Sequence, residues 1–200
     1  MNTASSDTPH AIQNHAEFQR SPRDAFHFCP RCGCNQLGGE HHRAIKCGVC
    51  GFQFYFNTGT ASAAFIFIGE ELILCTRARE PGKGKLDLPG GFLEYDETIE
   101  AGLQREIREE LNIETDDYQY LTSAPNDYLY AGILYKIADV FFTCTTQNID
   151  SIMAADDVAD YQLVRPEQVN PDEFAFKSTR AAFQQLLMRA PRGRGLSGSC

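Results

Sequence analysis

Between residues 90 and 113 the chain reads Gly90-Gly91-Phe92-Leu93-Glu94-Tyr95-Asp96-Glu97, then seven residues, then Arg105-Glu106-Ile107-Arg108-Glu109-Glu110-Leu111-Asn112-Ile113. Paired glycines let a backbone amide or carbonyl come close to a ligand. Glu106, Glu109 and Glu110 stand at i, i+3 and i+4, so on a helix they share an arc of about 100°. Three acids on one arc repel, by about 1 kcal/mol per pair at 4 Å in water and about 4 kcal/mol near a protein surface. A hard cation such as Mg²⁺ or Mn²⁺ reverses that sign, because it takes carboxylate, carbonyl and water oxygens together with substrate phosphates. The plainer alternative is a solvated acidic helix face, which costs only about 0.2–0.5 kcal/mol per pair. That alternative leaves the spacing of Gly91, Glu97 and Arg105 unexplained. The chemistry indicated is a divalent metal acting on a phosphate chain.

A second group of reactive side chains is Cys29-Pro30-Arg31-Cys32-Gly33 with Cys47-Gly48-Val49-Cys50-Gly51, two C-x2-C pairs separated by fourteen residues. Four thiolates favour tetrahedral Zn²⁺ and leave no open coordination position, so such a site is structural. The alternative is two disulfides, which an apparently cytosolic chain with no leading signal segment would not keep oxidised. Cys34 lies two residues past a ligand and is either a bystander or a substitute ligand. His41 and His42 fall inside the same segment and read as surface residues. Cys75 and Cys144 fall in apolar runs and read as small core residues.

These groups need elements to hold them. Residues 97–111 carry apolar Ile99, Leu103, Ile107 and Leu111 at every fourth position, which predicts a helix. Pro89-Gly90-Gly91 predicts a turn before it. Asn112 follows the helix, where a left-handed residue is usual and Asn is well suited. Strands are expected over Thr60 to Ile68 and Leu72 to Ala78 as a hairpin, then Leu86 to Leu88, Tyr118 to Thr122, Leu134 to Cys144 and Tyr161 to Val164. A helix from about Ser178 to Arg189 closes the set. Residues 1–24 lack apolar periodicity and predict a disordered arm, as does the Gly/Ser/Arg tail at 191–200. A metal-bound ribbon spans 25–57, ending in a strand over Phe52 to Phe56, and the main domain spans 58–190.

Gly91, Glu97, Arg105, Glu106, Glu109 and Glu110 fall on the pattern G-x5-E-x7-R-E-U-x-E-E-x-G-U, where U is bulky and aliphatic. With each residue type used roughly once in fifteen, the chance of those six matching is ~10⁻⁷ per starting point. The stretch resembles the signature box of Nudix hydrolases, with Asn112 standing where the box has Gly. The resemblance implies an α+β fold, an α/β/α sandwich with a mixed sheet, preceded here by the small zinc ribbon. It implies that Glu106, Glu109 and Glu110 bind Mg²⁺ or Mn²⁺ with the Gly90 carbonyl, and that Glu97 orients Arg105. It implies hydrolysis of a diphosphate linkage by water. The general base is either Glu106 or an acid before the last strand, where Asp156, Asp157 and Asp160 lie. Arg77, Arg79, Lys83, Lys85 and Gly91 are candidate phosphate contacts, and Tyr128, Tyr130 and Phe142 are either base-stacking or core residues.

A zinc ribbon before such a domain is similar to NADH pyrophosphatase. That family's Ser-Gln-Pro-Trp element is represented only by Ser123-Ala124-Pro125-Asn126, and the chain has no Trp. The expected substrates are therefore ADP-ribose, FAD or NAD(H), with ADP-ribose or FAD ahead of NADH. The net charge of −9 disfavours a chain built to hold nucleic acid through its phosphates. No apolar run approaches the ~20 residues of a membrane span. The expected partners are a nucleotide-diphosphate small molecule and a second copy in a homodimer, in the cytoplasm. The competing reading is a nucleotide-sensing adaptor whose ribbon binds nucleic acid or protein. An intact acidic set argues against it, since a sensor has no need of one.

Overall fold

The computed structural model describes residues 21–39 and 43–189. The first three strands make a sheet of their own: β1 (Leu37–Gly38), β2 (Ala44–Cys47) and β3 (Gln53–Tyr55), antiparallel in that order. Two cysteine knuckles flank it. In each, a glycine with φ near +72° (Gly33, Gly51) turns its amide back to the carbonyl of Cys29 or Cys47. Most of the arm predicted over 1–24, the tail at 191–200, and His41 and His42 lie outside the described residues. The end of that arm is ordered, because Pro22–Ala25 forms one 3-10 turn.

The rest of the chain builds a larger sheet from β4 (Gly59–Ile68), β5 (Glu71–Arg77), β6 (Leu86–Asp87), β7 (Gly90–Phe92), β8 (Asp116–Tyr130), β9 (Ile133–Thr145) and β10 (Val158–Val164). The order is β10-β5-β4-β9-β8, with β6 on β5 and β7 on β4. β4 and β9 run parallel and every other pair is antiparallel, so the sheet is mixed. The helices α1 (Ile99–Leu111) and α2 (Lys177–Arg189) cover its two faces. Strand alternation assigns the faces. Ala64, Ile66, Ile73, Cys75, Phe142 and Cys144 pack with Leu103, Ile107 and Leu111 of α1. Their neighbours one residue along, including Phe65, Leu72, Leu74 and Phe141, pack with Ala182, Phe183 and Leu186 of α2. A sheet buried on both sides reads as continuous apolar runs, which is what β4 and β5 are.

Two elements differ from the sequence expectation. In place of a turn at Pro89-Gly90-Gly91, Gly90–Phe92 is a short strand paired with Ala61–Ala63. Gly90 reaches φ +142°, and a Cβ there would lie 2.1 Å from the Ser62 carbonyl oxygen, so glycine is required for the strand to close up at all. β8 extends to Tyr130, well past Thr122, and pairs with β9 through a two-residue turn at Ala131-Gly132, both at positive φ. Pro125 is tolerated within β8 because that strand is the sheet's edge.

α1 begins and ends on local chemistry. The Thr98 hydroxyl accepts the Ala101 amide at 3.2 Å. Asn112 stops the helix in the left-handed region at φ 52°. Among the described residues no helix is long and apolar enough to cross a membrane. Leu103, fully buried between α1 and the sheet, should cost about 2–5 kcal/mol when changed to Ala, read as a shift of the urea midpoint with unchanged slope.

Candidate active site

α1 is seated against β7 by close backbone approach. The Gly90 amide donates to Glu110 Oε2 at 2.9 Å. A Cβ on Gly91 would lie 2.5 Å from the Glu106 carboxyl carbon, so that carboxylate rests directly on the glycine backbone. Gly102 gives Glu97 the same clearance, since a Cβ there would lie 2.7 Å from Glu97 Oε1.

Arg105 is the hub of the helix's polar face. Its Nη2 donates to Glu97 Oε1 at 2.8 Å and to the Phe92 carbonyl at 3.1 Å. Its Nη1 bridges Glu106 Oε1 at 2.9 Å and Glu109 Oε2 at 3.0 Å. Glu97 is held in turn by the Glu94 amide at 2.6 Å. The Arg105 guanidinium, helped by that amide, pulls the Glu97 carboxyl below its ordinary range. Sequence reasoning expects Glu97 to orient Arg105, and the two are in contact.

The three carboxylates differ in setting. Glu109 is half exposed, Glu106 mostly covered, and Glu110 only 6 % exposed. Burial raises Glu110 to about 8, against the Gly90 hydrogen bond, with Glu106, Asp87 and Asp157 adding to the rise. Burial also raises Glu106, with Arg105 opposing and Glu109 adding. The three do not converge on one point, since Arg105 draws Glu106 and Glu109 to one side while Glu110 turns to Gly90. Their donor chemistry, hard oxygens of concentrated negative charge beside a strand carbonyl, nonetheless suits a hard divalent cation.

Beside Glu110 opens a cavity of about 100 Å³. Gly90, Gly91, Arg77 and Asp157 line it, as expected of candidate site residues. Arg77 is largely committed: it pairs with Asp87 at 2.7 Å, donates to the Pro81 carbonyl and lies 4.9 Å above the Phe176 ring. Arg79 does not line the cavity and pairs with Asp157 at 2.7 Å and Asp156 at 3.4 Å on the surface. Lys83 and Lys85 are exposed and outside it. Of the three acids expected before the last strand, Asp160 lies within β10, which starts three residues earlier than predicted, and only Asp157 lines the cavity. Of the aromatic candidates Tyr128 lines it, Tyr130 is exposed, and Phe142 belongs to the α1-side core. Sequence reasoning misses Ser62, Asp87, Asn126, Asp139, Phe176 and Thr179. A signal exists for Asp139: it is the one charge on the inward-facing register of an apolar strand, between Ile137 and Phe141.

The thiols of Cys29, Cys32, Cys47 and Cys50 all lie within 4.8 Å of one another. Cys29–Cys50 and Cys32–Cys47 are each 3.6 Å apart, and the cysteines are free rather than disulfide-bonded. Sulfurs placed tetrahedrally at about 2.3 Å from a metal stand about 3.8 Å apart, so the quartet has the size of a metal site. The Cys50 amide, against burial and helped by the Cys34 thiol and then the Val49 amide, brings the Cys47 thiol down to about 6. Cys34 touches Cys47 at 3.2 Å but is not one of the mutually close four. Cys75 and Cys144 are buried in the core.

Residues 58–185 match the family described as NUDIX domain. The chain belongs to the NUDIX family. The NAD-capped RNA hydrolase NudC of Yersinia pestis is 32% identical over 124 residues, covering 62% of this chain and 46% of that protein. The NudC of Yersinia pseudotuberculosis matches equally. This NUDIX chain thus spans less than half the length of the curated relatives it matches. Among solved structures, a NUDIX hydrolase from Nitrosomonas europaea superimposes with TM-score 0.67 at 22% identity, over 84% of this chain and 94% of that one. The NUDIX domain of Shewanella oneidensis NrtR, complexed with ADP ribose, superimposes with TM-score 0.53 at 20% identity, over 66% of this chain and 88% of that one. These likenesses show the α/β/α fold of the NUDIX family.

Glu110 makes stability depend on pH. Its carboxyl is raised from 4.5 to about 8 in the fold. Between those values the folded chain holds a proton that the unfolded chain has released, so its contribution falls as pH rises from about 4.5 through about 8. Without added divalent cation, Glu110→Gln should gain Tm relative to the parent as pH goes from about 5 to about 8. Parallel Tm curves for the two proteins would contradict this.

Proposed function

We propose that the chain is a divalent-metal-dependent hydrolase that cleaves the diphosphate linkage of a nucleotide derivative of the ADP-ribose, FAD or NAD(H) class. The observation carrying this is the array of Glu106, Glu109 and Glu110, organised by Arg105 and Glu97 against Gly90-Gly91, at the edge of a cavity. NUDIX membership supports the reaction, and the NudC relatives and the ADP-ribose-bound NrtR domain support the substrate class. The competing sensor reading has no equivalent support in the site, where Arg105 contacts Glu97, Glu106 and Glu109 and Glu110 is held by the Gly90 amide.

Glu106, Glu109, Glu110 and the Gly90 carbonyl would hold Mg²⁺ or Mn²⁺. Bound there, the cation would neutralise phosphate oxygens and acidify a water. Glu97 keeps the Arg105 guanidinium pointed at the two outer carboxylates, so their positions are set before substrate arrives. Gly91 leaves the Glu106 carboxylate room to rest on the backbone at the cavity edge, where the diphosphate would approach. Asp157, the cavity-lining acid at the start of β10, or Glu106 takes the proton of the attacking water. Arg77 forms the cavity wall and Arg79 tethers Asp157. Cys29, Cys32, Cys47 and Cys50 hold a structural Zn²⁺. Thiolate ligands of this kind persist in a reducing compartment such as the cytoplasm, where we place the chain.

Glu109→Gln or Glu110→Gln should lower kcat by at least ~10², which is about 2.7 kcal/mol of barrier, with the fold intact by circular dichroism. Near-full turnover at saturating metal would sink the assignment. The substrate class is read from kcat/KM across ADP-ribose, FAD, NADH, NAD-capped RNA and 8-oxo-dGTP under one metal condition. ADP-ribose or FAD should lead. A preference of ~10³ for NADH or capped RNA, or activity on the triphosphate alone, would show the class is wrong. Elemental analysis after dialysis should find one zinc per chain, unchanged in Cys34→Ser and lost in Cys47→Ser. Retained zinc in the latter would mean a different ligand set.

A further inference from the structure

The cavity beside Glu110 has a floor built by strand register. Asp139 of β9 pairs with Ala61 of β4 on one side and Ala124 of β8 on the other. The row Ala61–Asp139–Ala124 therefore presents a carboxylate between two methyl groups, on the sheet face that α2 covers. Elsewhere that face carries large side chains such as Phe65, Leu74 and Phe141. Small residues at this row keep those neighbours from filling the space. The walls are aromatic: Phe92, Tyr128 and Phe176 all line the cavity, with Tyr128 5.2 Å from Phe92 and 6.0 Å from Phe176, ring centre to ring centre.

The polar groups inside are few and buried. Asp139 is 9 % exposed, and its Oδ2 accepts the Ser178 hydroxyl at 2.6 Å. The Asn126 side chain, which also lines the cavity, stands beside the same carboxylate and, against burial, lowers it too, so a ligand amino group would share this acceptor with Asn126. Ser62, 1 % exposed, also lines the cavity, and its hydroxyl has no partner among the described residues. Buried polar groups are normally satisfied, and each exception asks for a ligand or a water. A phosphate is a poor occupant: Asp87, Asp139, Glu110 and Asp157 repel it, and the Arg77 guanidinium is already bonded to Asp87 and Pro81. A volume of about 100 Å³ is well below the roughly 300–1,000 Å³ of a site that encloses a whole drug-sized ligand. The space suits one flat, uncharged ring bearing hydrogen-bond donors.

We infer that this cavity is the heterocycle subsite of the enzyme proposed above, and that Asp139 determines specificity by accepting a hydrogen bond from an exocyclic amino group, so that the favoured base is an aminopurine of the adenine class. The inference rests on the diphosphatase reading only for which molecule delivers the base. Aromatic walls hold any planar base by its faces. The carboxylate discriminates, because an amino group donates to it while a keto oxygen in the same place meets it oxygen to oxygen. Burial raises the Asp139 carboxyl, against the Ser178 hydroxyl, with Asp87 adding to the rise. An amine donor offsets some of that desolvation and a keto group offsets none.

The obvious competing role for Asp139 is to anchor α2 through Ser178. Asp139→Asn separates the two, because the amide oxygen still accepts the Ser178 hydroxyl while the amide can offer a keto oxygen a donor. The test compares AMP with IMP by titration calorimetry, and ADP-ribose with its hypoxanthine analogue by kcat/KM, in the parent and in Asp139→Asn. The parent should prefer the amino compound by ~10–100-fold in both measurements, the range expected of one buried charged hydrogen bond. In Asp139→Asn that ratio should fall to within ~3-fold of unity, with Tm little changed. Equal use of the two bases by the parent, or an unchanged ratio in the variant, would overturn the inference. Ala61→Val fills the floor without touching the carboxylate. It should weaken AMP binding at least ~10-fold, and unchanged binding would equally overturn the inference. Absence of turnover on every diphosphate with the AMP preference intact would defeat the hydrolase reading and leave this one standing.

Discussion

The site depends on how closely one strand of glycines can approach one helix. Gly90 lies against the Ser62 carbonyl with no room for a Cβ, and Gly91 lies against the Glu106 carboxylate with no room either. That double contact brings the Gly90 amide to Glu110 and the Phe92 carbonyl to Arg105. A side chain at Gly90 would part β7 from β4 and one at Gly91 would displace the Glu106 carboxylate, and either would cost the carboxylates their fixed positions. Packing and chemistry are therefore one constraint: the apolar face of α1 draws the helix down, and the glycines decide how far.

Charge follows from the same geometry. Bringing three carboxylates onto a partly buried face is unfavourable, and the protein offsets it unevenly. Arg105 compensates Glu106 and Glu109, while Glu110 is pushed up to about 8 with one backbone hydrogen bond. The arrangement is stable enough to persist and unfavourable enough to welcome a cation, a balance that functional sites commonly strike.

The two faces of the sheet divide the labour. α1 carries the carboxylates, while the opposite face, under α2, holds the cavity floor at Asp139. Residues from both faces line the cavity, from Asp139 to Glu110, with Gly90 of β7 and Asp87 of β6 among them. The aromatic walls come from three distant segments, at Phe92, Tyr128 and Phe176. The thiol quartet belongs to a separate small sheet.

Much of this is legible from residue order. The four-residue apolar period marks α1, Asn112 marks its end, and the paired C-x2-C segments mark the thiol quartet, because each of these signals is local. The placement of Arg105, Glu106, Glu109 and Glu110 on one side of α1 is legible for the same reason, being set by helical spacing, whereas Glu97 lies before the helix and meets Arg105 through the loop that precedes it. Tertiary structure decides what local spacing cannot. It makes Gly90–Phe92 a strand rather than a turn, because Ala61–Ala63 waits to pair with it. It buries Phe142 on one face while leaving Tyr128 in the cavity, because strand parity sends side chains to opposite sides of the sheet. It turns Asp139 from an oddity in an apolar strand into a cavity floor, because the alanines that flank it come from β4 and β8, far away along the chain and adjacent only once the sheet has formed.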